Sequence, residues 1–190
     1  MVRSFIAIEI PEPIRIKIFE SLDRVRRQTS GIKWIEPPQM HLTLQFLGEV
    51  EDSLIDQEII PRLEKVLGAE SSLHLQVSGV GLFPNVAKPR IFWVGLGGDS
   101  VRLKRFHLQI EKSLEGLPLH QEKKEFHAHL TLGRIKSPNS AKLWHKILEE
   151  YEKIDFGSFT VGGITLFKSV LTREGPVYTK LKEFHLKLEA

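Results

Sequence analysis

The tetrapeptide His-Leu-Thr-Leu occurs twice in this chain, beginning once at His41 and once at His129, each time inside a run typical of a β-strand. Residues i and i+2 of a strand share a face, so His41 and Thr43 point the same way, and so do His129 and Thr131. The flanking leucines face the opposite side. Each copy therefore predicts a strand with an imidazole and a hydroxyl on one face and an apolar core on the other.

Two such pairs on facing strands suit proton transfer during displacement at phosphorus. Histidine titrates near pH 6.5, so a neutral ring can take a proton from water while a charged partner gives one to the leaving oxygen. Each well-placed proton transfer contributes about 10²- to 10⁴-fold in rate. Threonine hydroxyls and nearby cations can hold the non-bridging oxygens, where charge develops. This chemistry requires no metal, and we expect no cofactor.

The two copies lie 129 − 41 = 88 residues apart, and other patterns recur at about that offset. These patterns are an apolar run (5–8 and 93–96), a helical stripe (14–25 and 103–114), a second helix (53–67 and 141–155) and an alternating strand (73–77 and 161–165). They predict the order strand, helix, motif strand, helix, strand in each half. We expect a single domain with an internal repeat of about 1–85 and 86–190, and the segment Gly81 to Arg90 is predicted to be the loop that joins the halves.

Length and composition limit the function classes. With 190 residues, of which 41% are hydrophobic, the chain can bury a sizeable core. No run approaches the roughly 20 apolar residues of a membrane span, and no charged-then-apolar leader begins the chain. We therefore expect a cytoplasmic protein without membrane association. We also expect a monomer. The absence of Cys excludes disulfides and cysteine nucleophiles.

The charge balance is moderately basic. A net charge of +3 and a pI near 9.1 permit a phosphate-bearing ligand without requiring one. A metallohydrolase is disfavoured, because the motifs supply two histidines without an accompanying carboxylate cluster.

A single His-x-Thr carries little information, since a lone strand histidine is more often a surface or packing residue. Two copies with identical flanking leucines, in matching places of a repeat, favour a functional site. His127 shares the face of His129 and is expected to have at most a supporting role. The remaining histidines have no such pairing and are predicted to be exposed or packing residues: His74, His107, His120, His145 and His185.

Beyond the two tetrapeptides, the chain resembles the two-histidine phosphoesterase superfamily, specifically the RNA 2',3'-cyclic phosphodiesterases long called 2'-5' RNA ligases. The resemblance runs nearly from end to end. Its segments are Arg3 to Pro11, Trp34, His41 to Gly48, Phe83-Pro84, Pro89-Arg90, His129 to Arg134, Lys168-Ser169 and Gly175 to Tyr178.

This resemblance implies a bilobal α+β fold in which two similar antiparallel sheets, each backed by helices, face each other across a cleft. It implies hydrolysis of a terminal RNA 2',3'-cyclic phosphate to a 2'-phosphomonoester. His41 would give a proton to the 3' oxygen and His129 would activate water, although the near symmetry of the two copies leaves these roles open. The expected partner is RNA with a 2',3'-cyclic phosphate end, and whether a nucleotide also binds is open.

Other residues are candidates for contacts with phosphate or ribose: Arg90, Arg134, Lys168 and Tyr178. Strict alternation places Arg134 opposite His129, unless a bulge at Gly133 turns it inward. Trp34 and Phe83 are candidates either for stacking a base or for the core. Parity with the motif leucines assigns Phe46 to packing.

Two alternatives to hydrolysis stay open at this point. A ligase would run the related displacement with a 5'-hydroxyl in place of water, and a 2'-5' junction would reveal it. A non-catalytic module would bind RNA ends without turnover, which would leave the paired proton-transfer groups unexplained.

Overall fold

The computed structural model describes residues 1–120, 125–137, 139–173 and 175–188. The strands in these ranges are β1 (Val2–Glu9), β2 (Ile32–Trp34), β3 (His41–Val50), β4 (Leu73–Phe83), β5 (Ile91–Gly98), β6 (His129–Ile135), β7 (Asp155–Val161), β8 (Gly163–Leu171) and β9 (Pro176–His185). The helices are α1 (Glu12–Ser21), α2 (Asp23–Gln28), a 3₁₀ turn (Pro37–Gln39), α3 (Asp52–Leu54), a π-helical turn (Ile55–Ile59), α4 (Ile60–Leu67), α5 (Ser100–Ser113) and α6 (Ala141–Tyr151).

These strands form two antiparallel sheets. One sheet has four strands in the order β3-β1-β8-β9, and the other has five in the order β2-β6-β5-β4-β7. Helices supply the other side of the apolar core, with Ile18 from α1, Leu63 from α4, Phe106 from α5 and Trp144 from α6 all fully buried. The predicted α+β class with two helix-backed antiparallel sheets is confirmed.

The burial of β1 explains its unbroken apolar run. Ile6 and Ile8 belong to the main core, whereas Phe5 and Ala7 belong to a second, smaller cluster on the opposite face of the same sheet. A strand covered on both faces needs apolar residues at successive positions rather than in alternation. This second cluster marks the face on which the motif residues lie.

The two sequence halves exchange strands. β4, from the first half, pairs with β5 in the five-stranded sheet, and β8, from the second half, pairs with β1 in the four-stranded sheet. Residues 84–90 therefore form a hairpin connection within one sheet, and Gly81 to Phe83 lie in β4. The prediction of a loop over Gly81 to Arg90 is confirmed for residues 84–90 and wrong for Gly81 to Phe83, because β4 continues through Phe83 and pairs with β5.

The sheet register refines the repeat. Leu42 pairs with Ile8, and the matching Leu130 pairs with Val94, so the first strands of the halves correspond at 94 − 8 = 86 residues rather than 88. The two offsets differ by two residues, an even number, so equivalent residues of the two halves still lie on equivalent faces of their sheets. The division into repeats of about 1–85 and 86–190 stays a prediction.

No helix in the described ranges combines the length and the apolar character needed to span a membrane.

Candidate active site

Each motif strand contains a β-bulge at the same place in the motif. In β3 the register with β1 skips Leu44, and in β6 the register with β5 skips Leu132. These residues are 132 − 44 = 88 apart, so the bulge itself is duplicated. A bulge adds one residue to one strand and reverses the parity of the residues that follow it.

The bulge turns Arg134 onto the face of the motif residues. Arg134 pairs with Ile91, and Ile91 lies two residues from Trp93, which pairs with Thr131. Arg134 and Thr131 therefore share a face. The expectation from strict alternation is wrong here, and the inward turn occurs because of a bulge at Leu132 rather than at Gly133.

The equivalent bulge turns Phe46 away from the leucine face. Phe46 pairs with Phe5, and their ring centroids lie 5.9 Å apart. It packs against the small cluster of Phe5, Ala7 and Phe167 rather than against the main core. The assignment of Phe46 to packing on the face of the motif leucines is therefore wrong as to the face.

Matching hydrogen bonds orient the two motif imidazoles. Nδ1 of His41 lies 2.8 Å from the carbonyl oxygen of Gln39, and Nδ1 of His129 lies 2.6 Å from that of His127. A carbonyl oxygen only accepts, so in each ring Nδ1 carries the hydrogen and donates it. This bond selects the tautomer and makes Nε2 the nitrogen that can exchange a proton with a ligand.

Aromatic rings surround His41. The ring centroid of Phe5 lies 4.8 Å from that of His41, and Tyr178 meets the imidazole edge-on at 5.2 Å. Phe167 stacks on Phe5 at 5.2 Å. Burial among these groups lowers the pKa of His41 below its usual value of 6.5, and the hydrogen bond to Gln39 opposes this effect.

Aromatic rings also border His129. Phe83 meets its ring edge-on at 5.0 Å between centroids, and Trp93 lies 6.4 Å away. Phe83 also lies 5.8 Å from His127, whose ring is exposed and whose carbonyl orients His129. Of the two candidates for base stacking, Phe83 thus borders the motif histidine. Trp34 instead packs edge-on against the buried Phe92 at 5.8 Å, on the core side.

Tyr178 lies within electrostatic reach of Arg134 in the other sheet. Burial raises the pKa of the Tyr178 phenol, and the positive charges of Arg134 and Arg3 oppose this shift. Tyr178 belongs to the four-stranded sheet and Arg134 to the five-stranded sheet, so the charge acts across the junction. The motif strands β3 and β6 approach each other here, with Cα atoms within 8 Å. The structure therefore places Tyr178 beside His41 of β3, and Arg134 of β6 on the side of the motif residues.

Arg90 and Lys168 lie elsewhere. Lys168 pairs with Ser4 and alternates with Phe167, which belongs to the cluster beside His41, so Lys168 faces away from that cluster. Arg90 is exposed just before β5, and alternation groups it with the buried Phe92 rather than with Ile91. Neither placement supports the predicted contact with phosphate.

Within the described ranges, no three His, Asp or Glu side chains converge into a group that can hold a metal ion.

Two antiparallel sheets that meet at a pair of His-x-Thr strands define the class of two-histidine phosphoesterases, as the resemblance implied. A family model described as the 2'-5' RNA ligase superfamily matches residues 13–173, and the chain belongs to this superfamily.

Similar proteins agree with this placement. The chain is 37% identical to an RNA 2',3'-cyclic phosphodiesterase of Aeropyrum pernix over 161 residues, which cover 85% of this chain and 90% of the relative. It is 34% identical to a protein of the same name from Archaeoglobus fulgidus over 184 residues, covering 96% and 99%.

Solved structures share the fold. The protein TT0787 of Thermus thermophilus superimposes with a TM-score of 0.82 at 29% identity, covering 99% of this chain and 100% of that one. LigT of E. coli, complexed with 3'-AMP, has a TM-score of 0.80 at 22% identity, covering 97% and 98%. The LigT comparison shows the fold alone.

Proposed function

We propose that this protein hydrolyses RNA 2',3'-cyclic phosphate ends to 2'-phosphomonoesters by metal-free acid–base catalysis with two histidines. The observation that carries this proposal is the matched pair of Nδ1 hydrogen bonds, at 2.8 Å for His41 and 2.6 Å for His129. They prepare both Nε2 atoms for the same kind of proton exchange. The relatives named RNA 2',3'-cyclic phosphodiesterase support the substrate class.

The reaction requires one proton acceptor and one proton donor. Nε2 of His129 takes a proton from water as the water oxygen bonds to phosphorus. The bond from phosphorus to the 3' oxygen breaks, and protonated Nε2 of His41 gives its hydrogen to that oxygen. The products are a 2'-phosphomonoester and a free 3'-hydroxyl, and proton exchange with solvent then restores both rings.

The surroundings of His41 suit the donor role. Burial lowers its pKa, which makes its protonated form a stronger acid. A phosphodiester carries a negative charge, and a negative charge beside the ring favours the protonated form. Binding of the substrate thus favours the protonated form of His41, which the reaction requires as its acid.

Donors beside the rings hold the non-bridging oxygens in this proposal. Thr43 and Thr131 share the faces of His41 and His129 by alternation, and the bulge adds Arg134 to the same face. Charge builds on the non-bridging oxygens as water attacks. Removal of one preorganised donor of this kind costs about 10²- to 10³-fold in rate.

The same geometry admits ligation, and the family name gives this second function its support. A 5'-hydroxyl of a second RNA would take the place of water and form a 2'-5' junction. Ligation and hydrolysis then differ only in the nucleophile, so both reactions require the same two histidines.

The test uses a short RNA that ends in a 2',3'-cyclic phosphate, incubated with and without EDTA. We expect equal turnover in both and a 2'-phosphate product. His41→Gln and His129→Gln should each lower kcat by about 10²- to 10⁴-fold. His145→Gln, at an exposed position of α6, is the matched control and should keep full activity.

Several outcomes would contradict the proposal. Full activity in both His41→Gln and His129→Gln would show that the site is elsewhere, and loss of activity in EDTA would refute the metal-free mechanism. A 3'-phosphate product would reverse the assumed leaving oxygen. Tight binding of the RNA end without turnover would identify a binding module.

A further inference from the structure

His107, on α5, makes a hydrogen bond to the bulge of the first motif strand. Its Nδ1 lies 2.8 Å from the carbonyl oxygen of Leu44, and because the carbonyl accepts, Nδ1 donates. Leu44 is the residue that the register between β3 and β1 skips. The imidazole therefore satisfies a carbonyl at the point where the ladder is interrupted.

The same ring contacts the segment that leads to the second motif strand. His107 stacks on Phe126, with 4.3 Å between ring centroids and 14° between ring planes. Phe126 lies three residues before His129 and directly before His127, whose carbonyl accepts the hydrogen bond from the His129 ring. One half-buried side chain thus contacts both the first motif strand and the segment that leads into the second.

We propose that His107 is a positioning residue that couples the two motif strands. Its hydrogen bond holds the bulge that turns Phe46 toward Phe5, and the Phe5 ring packs on His41 at 4.8 Å. Its stacking holds the segment that presents the His127 carbonyl to His129. The inference rests on the function proposed above and adds to it a residue that lies outside the paired motifs.

A second contact at the same edge supports this role. The register of β3 with β1 also skips Leu47, and the backbone N–H of His120 donates to the Leu47 carbonyl at 3.0 Å. Both skipped carbonyls of β3 are therefore bonded from α5 or from the segment that follows it. Since β3 is the edge strand of its sheet, these bonds replace a neighbouring strand on that side.

The expected effect is on the chemical step. Displacement of a catalytic group by about 1 Å can cost on the order of 10²-fold. His107→Leu removes both the donor and the aromatic stack while it keeps an apolar side chain. We expect kcat on the cyclic phosphate substrate to fall by about 10- to 100-fold, with KM changed far less.

Two further variants separate the contacts. His107→Asn retains an N–H donor near the Leu44 carbonyl and should recover most of the lost kcat. Phe126→Leu keeps the hydrogen bond but removes the stack, and should lower kcat by less than His107→Leu does. His145→Leu, at an exposed position of α6, is the control for replacing a histidine by leucine.

The pH profile distinguishes positioning from proton transfer. His107→Asn should keep both limbs of the kcat/KM profile, because the proposed bond carries no proton in the reaction. Loss of one limb in that variant would overturn the positioning role.

The remaining outcomes are equally decisive. Wild-type kcat in His107→Leu would overturn the inference, and so would equal losses in the leucine and asparagine variants. If His107→Leu fails to fold, Phe126→Leu carries the test, and wild-type kcat in that variant would overturn the inference. An inactive wild-type protein would instead refute the proposed function.

Discussion

At the residue scale, the environment of His41 determines how its proton is held. Phe5 and Tyr178 exclude water from the ring, and water stabilises the charged form more than these neighbours do. The lowered pKa follows from this burial, while the hydrogen bond to the Gln39 carbonyl limits the shift. The reactive nitrogen and its proton affinity are thus set by neighbours from separate strands and one turn.

We predict that NMR titration of the ligand-free protein gives His41 a pKa below 6.5, and that Tyr178→Ala raises it by returning water to the ring. The unfolded chain then binds the proton more tightly than the folded protein does. The stability that neutral His41 contributes is full above about pH 6.5 and is lost as the pH falls through the lower, folded-state pKa. A His41 pKa above 6.5, or one that Tyr178→Ala leaves unchanged, would contradict this account.

At the scale of elements, the hairpin of β4 and β5 shows how a glycine leaves room for an aromatic ring beside the motif histidine. Gly81 lies opposite Trp93, and a Cβ at Gly81 would come within 2.0 Å of the indole ring. The indole therefore lies flat over the glycine, where it contacts Phe83 at 5.1 Å and borders His129. Cross-strand packing of an aromatic ring on glycine is a known device of antiparallel sheets.

We predict that Gly81→Ala displaces the Trp93 ring and, with it, the support of His129. Tryptophan fluorescence should change, and kcat on the cyclic phosphate should fall by about 10-fold or more, because the imidazole loses its alignment. Gly97→Ala is the matched control, since it lies in β5 where an added Cβ meets nothing within 4 Å. Equal kcat values for the two alanine variants would show that Trp93 does not position His129.

At the scale of the whole molecule, the net charge of +3 is not spread evenly over the surface. Some of the cations lie on the face that carries the motif residues. Lys33 pairs directly with Arg134 across β2 and β6, so the two side chains share that face at the border of the five-stranded sheet. Arg3 lies in the four-stranded sheet and acts electrostatically on Tyr178 of the same sheet. A polynucleotide that leaves the site past β2 would meet Lys33 after its terminal nucleotide.

We predict that Lys33→Gln raises KM for an RNA oligonucleotide with a cyclic end but leaves KM for a mononucleotide 2',3'-cyclic phosphate unchanged. The slope of log KM against log salt for the oligonucleotide should fall by about 0.7, the value for one lost contact to a single-strand phosphate. Lys146→Gln, at an exposed position of α6, provides the control. Equal effects on both substrates would show that Lys33 contacts the terminal nucleotide rather than the upstream chain.

Much of the architecture could be predicted because its signals are local. The period of two in His41-Leu-Thr-Leu and in its repeat predicted the faces of β3 and β6 up to the bulge, and period-3.6 stripes predicted α1, α5 and α6. The duplicated motif, together with the segments around it that resemble the superfamily, indicated the family before any contact was known.

By itself, then, the sequence determined the α+β class, the family and the paired motif residues. Only the tertiary structure decided that β4 and β8 are exchanged between the halves and that bulges at Leu44 and Leu132 turn Phe46 and Arg134 to the motif face. It also decided that His107 contacts both β3 and the segment before β6. The reason is physical: alternation is a property of neighbouring residues. Strand exchange, bulges and the bonds that hold them depend on partners that are distant in the sequence.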